Sequence, residues 1–263
     1  MKILVTNDDG IHSKGLWNLA EALRDVGDVS VVAPDRDQSG VGTAMTLMSV
    51  LRVQETSSPL EGVQAFSVQG TPADCVILGI EELLKGGIDL VVSGINQGSN
   101  LGKGVMTSGT VGAAFHGYFR DVSSIAISLA YTNRMVYDVA AQTAGALARA
   151  ISDSSAASRL LLNVNVPSLA LDAIRSAEIT SLGPMAYLAN VERSSNGSQA
   201  HYWIKNNRPV NTNAPEGTDI WAVRDNRISI TPLEVSFDNG AAPSSFDGLI
   251  GAVSAGLGLG GHR

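Results

Sequence analysis

Before Pro34 the chain already spells strand, helix, strand, and that order leaves few folds open. Lys2 to Thr6 is a short apolar run. Leu16, Leu19, Ala20, Leu23 and Val26 then recur at helical spacing, with Gly27 where a helix would stop. Asp28 to Ala33 (DVSVVA) reads as a second buried strand. Two strands joined through a helix pair in parallel, by a right-handed crossover. The rhythm continues after a less regular stretch from Thr43 to Val68. Thr71 is a candidate N-cap, Pro72 suits the first helical position and Asp74 completes a capping-box pattern, with Val76, Ile77, Ile80, Leu83 and Leu84 as the buried face. Asp89 to Ser93 is the next strand. A helix entered through Thr107 to Gly117 follows, showing Val111, Ala114, Phe115 and Tyr118 on one face. Ser124 to Ser128 reads as a strand, Val136 to Ile151 as an Ala-rich helix, and Leu160 to Val166 as a strand stopped by Pro167. The expectation is an α/β fold with a mostly parallel sheet flanked by helices.

Beyond Pro167 the alternation fades. Residues 171–263 are expected to form a smaller, antiparallel, β-rich lobe and a tail appended to a core over residues 1–170, with core strands free to return. His201 to Lys205 and Arg227 to Thr231 are its clearest strand-like pieces. The GLGLGG run near the end imitates a dinucleotide-binding fingerprint, but no helix follows it, so a docked or exchanged tail is the better reading. Asn196-Gly197-Ser198 matches a glycosylation acceptor, which has no meaning without secretion.

Composition narrows the function classes. With 44% hydrophobic and 16% charged residues in 263, the chain is globular and long enough for a sizeable core. A formal net charge of -7 and the lack of any Lys/Arg cluster give no footprint for a nucleic-acid duplex or an anionic membrane. An anionic substrate would have to be attracted by local donors or a cation. The single cysteine, Cys75, excludes an internal disulfide framework, fits a reducing compartment, and reads as a packing residue in its helix. No signal-peptide pattern and no membrane-length apolar run are evident, so the cytoplasm is the expected location.

The candidate chemistry lies where strands end. VTNDDG puts Asp8 and Asp9 at the carboxyl end of the first strand, the edge where ligands bind in open α/β sheets. The stretch reads in two ways. Adjacent carboxylates call for a hard divalent cation between them, yet Asn-Asp-Asp-Gly is also ordinary turn chemistry. The second strand ends in PDRDQSGVG, which carries Ser39 to the same edge, although a lone loop serine more often faces solvent or caps a turn. After Ser93 comes GINQGSNLGKG, a Gly-rich stretch too polar for a core, which delivers Asn96. Asp8, Asp9, Ser39 and Asn96 together offer carboxylate, hydroxyl and amide oxygens. That set suits one Mg2+, Mn2+ or Ca2+ ion and not a thiol-preferring metal. In TSGTVGAAFHG, Ser108, Gly109 and Thr110 would form a helix's first turn, whose free N–H groups and hydroxyls make an anion site. The plainer alternative is a Ser/Thr cap and nothing more. A cation beside an anion-binding helix start is the minimum equipment for hydrolysing a phosphate ester. Attack by Ser108 itself would need a partner base, and none is visible. His12 reads as a surface or packing residue, which leaves Asp8 or Asp9 to orient the attacking water.

VTNDDG, VVAPDRDQSG, GTPADCV, VVSGINQGSNLG, TSGTVGAA, LLNVNVP, TD followed by AV, and ISITPL occur in the order seen in the SurE family, the stationary-phase survival protein E group. The resemblance runs from Met1 to about Leu233. It implies a metal-dependent nucleotidase acting on nucleoside 5'-monophosphates, with 3'-monophosphates and short polyphosphate as further substrates. It also implies a Rossmann-like core, a smaller C-terminal β lobe and a homodimer or homotetramer with an exchanged arm. The family's metal ligands fall on Asp8, Asp9, Ser39 and Asn96. Its phosphate-holding positions fall on Ser108, Gly109 and Thr110, with Asn96 also near the phosphate. Three departures bear on the pocket. Thr107 stands where the family commonly has Tyr, Phe115-His116-Gly117 replaces a shorter, more acidic variant, and an Asp-Pro-Arg-Gly segment is not evident between Gly183 and Asn207. Thr cannot stack on a nucleobase as an aromatic can.

Two other classes fit less well. A receiver-like signalling module also gathers acidic residues at strand ends, but it needs a third Asp where DLVVSGIN offers Ser93 and Asn96, and the chain is about twice too long for one. A nucleotide-binding regulator that kept the pocket without turnover remains the alternative.

Overall fold

The computed structural model describes residues 1–133, 135–153, 159–196, 199–210 and 213–234. Met1–Leu233 forms one compact unit. The GLGLGG run, the expected exchanged tail, and Gly197 and Ser198 of the Asn-Gly-Ser match lie outside the described residues.

The elements follow in chain order as β1 (Lys2–Thr6), α1 (Lys14–Leu23), β2 (Asp28–Pro34), β3 (Val53–Glu55), β4 (Gln64–Val68) and α2 (Pro72–Leu78). Then come β5 (Leu90–Gln97), α3 (Gly109–Tyr118), β6 (Ser123–Leu129), α4 (Asp138–Asp153) and β7 (Leu161–Val166). The last are β8 (Ala177–Ile179), β9 (Tyr187–Asn196), β10 (Gln199–Pro209), α5 (Asp219–Arg224) and β11 (Ile228–Pro232). Among the described residues nine strands make one sheet in the order β3-β4-β2-β1-β5-β6-β7-β11-β8, and β9 and β10 pair separately. From β4 to β7 every pairing is parallel, as the helical crossovers require. β3 and β11 run antiparallel to β4 and β7. The chain leaves β1 toward β2 and later returns to lay β5 on β1's other side. This reversal of direction opens a crevice at the carboxyl ends of β1 and β5.

Period-two alternation sorts the core into two layers. Ile3 and Val5 of β1 and Val92 of β5 pack with Leu16, Leu19 and Leu23 of α1 and Ala140, Ala144 and Ala148 of α4. Leu4 and Val91, on the opposite face, meet Cys75 and Val76 of α2 and Ala113 of α3. Both faces of the central strands are therefore covered, and burial pushes the Cys75 thiol well above its ordinary range, as suits a packing residue. α2 starts as its sequence indicates. Thr71 Oγ1 accepts from the Asp74 N–H at 3.1 Å, and an Asp74 carboxylate oxygen accepts from the Thr71 N–H at 2.8 Å.

Three expectations need correction. β5 does not stop at Ser93. It runs on to Gln97, with Asn96 and Gln97 paired to Ser128 and Leu129 of β6 and Ile95 fully buried. The Gly94–Ile95 peptide is cis. Pairing to a buried neighbour outweighs the loop-like composition here. α3 is not buried on one face only, since Gly112, Ala113, His116 and Gly117 are buried along with Val111 and Ala114, and Phe115 and Tyr118 are the partly open ones. Glycines allow this. A Cβ on Gly112 would lie 2.1 Å from the Gly42 carbonyl oxygen, and one on Gly117 2.4 Å from Ser124 Oγ. Finally, α5 lies in the region read as β-rich, where the sequence indicates no helix, being too short at six residues to show a helical period.

Among the described residues no helix is long and apolar enough to cross a membrane. α1 seats on β5 through Gly15, where a Cβ would meet the Ile95 carbonyl oxygen at 2.1 Å. Gly15→Ala should therefore lower the unfolding free energy by at least ~1–3 kcal/mol, the usual range for overpacking. Urea denaturation followed by far-UV circular dichroism checks this, and an unchanged midpoint would unseat α1 from β5.

Candidate active site

The turn after β1 resolves the two readings of its sequence by dividing the work. Asn7, fully buried, donates from Nδ2 to the Gly10 carbonyl at 3.0 Å and accepts the Gly10 N–H on Oδ1 at 3.2 Å. Gly10 sits at φ 95, a conformation that favours glycine. Turn chemistry is thus carried by Asn7 and Gly10, and the carboxylates between them are left for other use.

Asp8 is almost fully buried. Its Oδ1 accepts from Thr110 Oγ1 at 2.7 Å, and its main-chain carbonyl accepts from the Gln38 N–H at 2.7 Å. Desolvation pushes its carboxyl above the ordinary range, outweighing the Thr110 hydroxyl and amide that favour the anion. Asp9 is half-buried and holds only a long contact, from the Gln97 N–H to Oδ2 at 3.4 Å. Its carboxyl is pushed up to about 6, first by desolvation and then by the neighbouring Asp8 charge. Ser39 donates from Oγ to Asp37 Oδ1 at 2.6 Å, and its N–H donates to the same oxygen at 2.8 Å. Asn96, at the end of β5, spends its Nδ2 on the Gly98 carbonyl at 2.7 Å, which leaves Oδ1 as the outward acceptor.

Ser108 caps α3, its Oγ accepting the Val111 N–H at 3.2 Å, so the hydroxyl proton remains available. Gly109 lies against Asp8, where a Cβ would come within 2.8 Å of the Asp8 Cβ. Only glycine lets the start of α3 approach the carboxylate so closely. Thr110 is fully buried with its hydroxyl committed to Asp8, so in this arrangement it orients a carboxylate.

These groups edge a cleft of about 770 Å3. Asp8, Ser39, Asn96 and Ser108 supply one wall, from four different strand-end or helix-start loops. Met185, Tyr187, Leu188, Ala189 and Ile204, at the root of the β9–β10 ribbon, supply the other. Gly98, Ser99, Asn100 and Thr107 also line it. Among the described residues, none of the ion pairs involves Asp8, Asp9 or Asp37. Asp8 and Asp9, both raised first by desolvation, with no ion-pair partner among the described residues and hydroxyl and amide oxygens at hand, fit a hard divalent ion.

Four supporting residues escaped the sequence reading. Asp37 holds Ser39, and its signal is the Asp-x-Ser spacing of an Asx turn. Asn163 and Asn165 of β7 both donate from Nδ2 to the Asn100 carbonyl at 2.9 Å, and Asn165 Oδ1 accepts the Asn100 N–H at 2.8 Å. Two amides spaced by two in an otherwise apolar strand share a sheet face and must find buried partners, which is a readable signal. Asp219 takes the N–H groups of Gly102, Gly183 and Ile220 at 2.6, 2.8 and 2.8 Å.

Comparison with known proteins bears on this arrangement. Residues 3–189 match the family described as Survival protein SurE. The chain belongs to the SurE family. A Geobacter sulfurreducens protein named 5'-nucleotidase SurE is 46% identical over 246 residues, covering 93% of this chain and 92% of that one. A Dehalococcoides mccartyi protein of the same name is 44% identical over 235 residues, covering 89% and 88%. The crystal structure of the SurE protein from Aquifex aeolicus superposes with a TM-score of 0.80 at 34% identity, covering 95% of this chain and all of that one, 100%. The Rossmann-like parallel core with a separate antiparallel ribbon is thus the SurE fold.

In this SurE chain the raised Asp9 carboxyl has a consequence for stability. A carboxyl near pH 6 when folded and near its ordinary 3.8 when unfolded makes the folded state bind the extra proton between those values. The stability it contributes is complete below about pH 4 and is lost as pH rises through about 6. In chelator, the Tm difference between Asp9→Asn and wild type should widen in the variant's favour across that window. A difference that stays flat with pH would contradict the shift.

Proposed function

We propose that this protein is a divalent-metal-dependent phosphomonoesterase that releases phosphate from nucleoside 5'-monophosphates, with 3'-monophosphates and short polyphosphate as further substrates. One observation carries the reading. Asp8 lines one cleft with Ser39, Asn96 and the start of α3 at the sheet's switch point, Asp9 adjoins it through the Gln97 N–H, and among the described residues neither carboxylate has an ion-pair partner. Names of relatives support it, since the similar Geobacter and Dehalococcoides proteins are called 5'-nucleotidases.

Asp8, Asp9, Ser39 Oγ and Asn96 Oδ1 would hold one Mg2+ or Mn2+, and Ca2+ has the same ligand preferences. When bound, such an ion supplies Lewis acidity to a phosphoryl oxygen and lowers the pKa of water. The protein's part is positional. Thr110 fixes the Asp8 rotamer through Oγ1, and Asp37 turns the Ser39 hydroxyl so that its lone pairs face away from the donated proton. The second Nδ2 hydrogen of Asn96 and the Ser108 hydroxyl are the donors offered to phosphate, and the Gly109 N–H at the first position of α3 has no partner within its helix. Asp9, the less tightly bonded carboxylate, is the one free to take a proton from the attacking water. Ser108 has no base in contact, so water is the nucleophile of choice. The same reading includes a homodimer or homotetramer in the cytoplasm, the latter supported by the lone, buried Cys75.

Turnover of a panel of nucleoside monophosphates, with Mn2+ and with chelator, tests the proposal. Chelation should abolish phosphate release, and Asp8→Asn should lower kcat/KM by at least ~100-fold with an unchanged circular dichroism spectrum. Mn2+ at about a hundred times its Kd should raise wild-type stability by ~2.7 kcal/mol, and that of Asp8→Asn far less. Wild-type turnover in Asp8→Asn would remove the assignment.

A further inference from the structure

The wall of the cleft formed by the β9–β10 ribbon has no part in the phosphoryl chemistry. Tyr187, Leu188 and Ile204 are 42%, 39% and 78% exposed beside the polar rim. Large apolar side chains held open next to a polar site mark the place where a ligand's apolar part settles. Tyr187 and Thr107 also share a smaller recess with Asn100 and Leu101. Across it, Thr107 is short, and its hydroxyl is turned back to the Gly104 carbonyl at 3.0 Å.

A phosphomonoester entering this cleft brings its charged end to Asp8, Ser39, Asn96 and Ser108. Its remainder then lies along the ribbon. An aliphatic remainder would leave the Tyr187 ring unmatched, whereas a nucleobase offers a π-face to it. The backbone groups of Asn100 and the Thr107 hydroxyl are already bonded within the protein. Asn100 Nδ2 donates to Ser128 Oγ at 2.8 Å, its carbonyl takes Asn163 and Asn165, and its N–H goes to Asn165. We propose that Tyr187, at the root of the β9–β10 ribbon, is the stacking platform for the substrate's nucleobase, binding bases by their faces. This rests on the phosphomonoesterase reading above.

The test uses the Mn2+-loaded full chain with adenosine, guanosine, cytidine and uridine 5'-monophosphates against ribose 5-phosphate, which has the same ester and no base. Wild type should favour all four nucleotides over ribose 5-phosphate, purines foremost by their larger stacking area. In Tyr187→Ala the ratio of kcat/KM for nucleotide to that for ribose 5-phosphate should fall roughly tenfold, chiefly through KM, and Tyr187→Phe should restore it to within about twofold. Ribose 5-phosphate turnover reports that each variant is folded. An unchanged ratio in Tyr187→Ala, or one that Phe does not restore, overturns the platform alone. A wild type that cleaves none of the five esters overturns the phosphomonoesterase reading and the platform with it.

Discussion

Adjacent carboxylates at the rim of a buried parallel sheet set the terms for the rest of this molecule. Asp8 follows a strand covered on both faces, so it inherits that strand's depth and most of its water is gone. An unpaired ion at that depth is expensive. The fold answers with donors from separate segments, namely Thr110 from α3 to Asp8 and the Gln97 N–H from β5 to Asp9. These donors lessen the penalty without removing it, as the raised carboxyls record. A site left short of positive charge in this way is primed for a cation, and a neutralised site would be primed for nothing.

Such donors reach the carboxylates only because the backbone comes unusually close. Gly109 admits the α3 start to Asp8, Gly112 admits α3 to the Gly42 carbonyl, and Gly15 admits α1 to β5. The loop that carries Ser39 is bound into the same block, since the Gly42 N–H donates to the Thr107 carbonyl at 3.0 Å and the Gln38 N–H donates to the Asp8 carbonyl. Local positioning therefore propagates. The residues that touch a ligand are few, and the glycines that let them converge are part of the same arrangement.

Much of this was legible in the sequence. The core strands and helices follow from hydrophobic period, and the common cleft of Asp8, Ser39 and Asn96 follows from the rule that α/β ligands sit at strand ends. What could not be read depends on distant pairing. β11 inserts between β7, to which it is antiparallel, and β8, to which it is parallel, and nothing in Arg227 to Thr231 names Asn163 or Asn165 as its neighbours. Gly94 to Gln97 reads as loop by composition and is strand by virtue of β6. Thr110 looked like a phosphate donor because its helix-start position is visible, whereas its bond to Asp8, 102 positions away, is not.

The residues lining the cleft come from distant parts of the chain, and Asp219 is where the segments carrying them are tied. Its Oδ2 takes the Gly102 N–H from the segment that continues the phosphate-side wall, and Oδ1 takes the Gly183 N–H from the approach to the ribbon. Gly102 presses so near that a Cβ would lie 1.8 Å from the Pro184 carbonyl oxygen. Three N–H groups converge on one buried side chain, since Ile220 donates there too. A carboxylate meets all three donors with acceptors alone, whereas an amide would turn its NH2 group toward one of the N–H donors. Burial raises the Asp219 carboxyl, and the chain tolerates the charge because those N–H bonds favour the anion. One buried carboxylate therefore joins the segment after β5 to the approach to the β9–β10 ribbon.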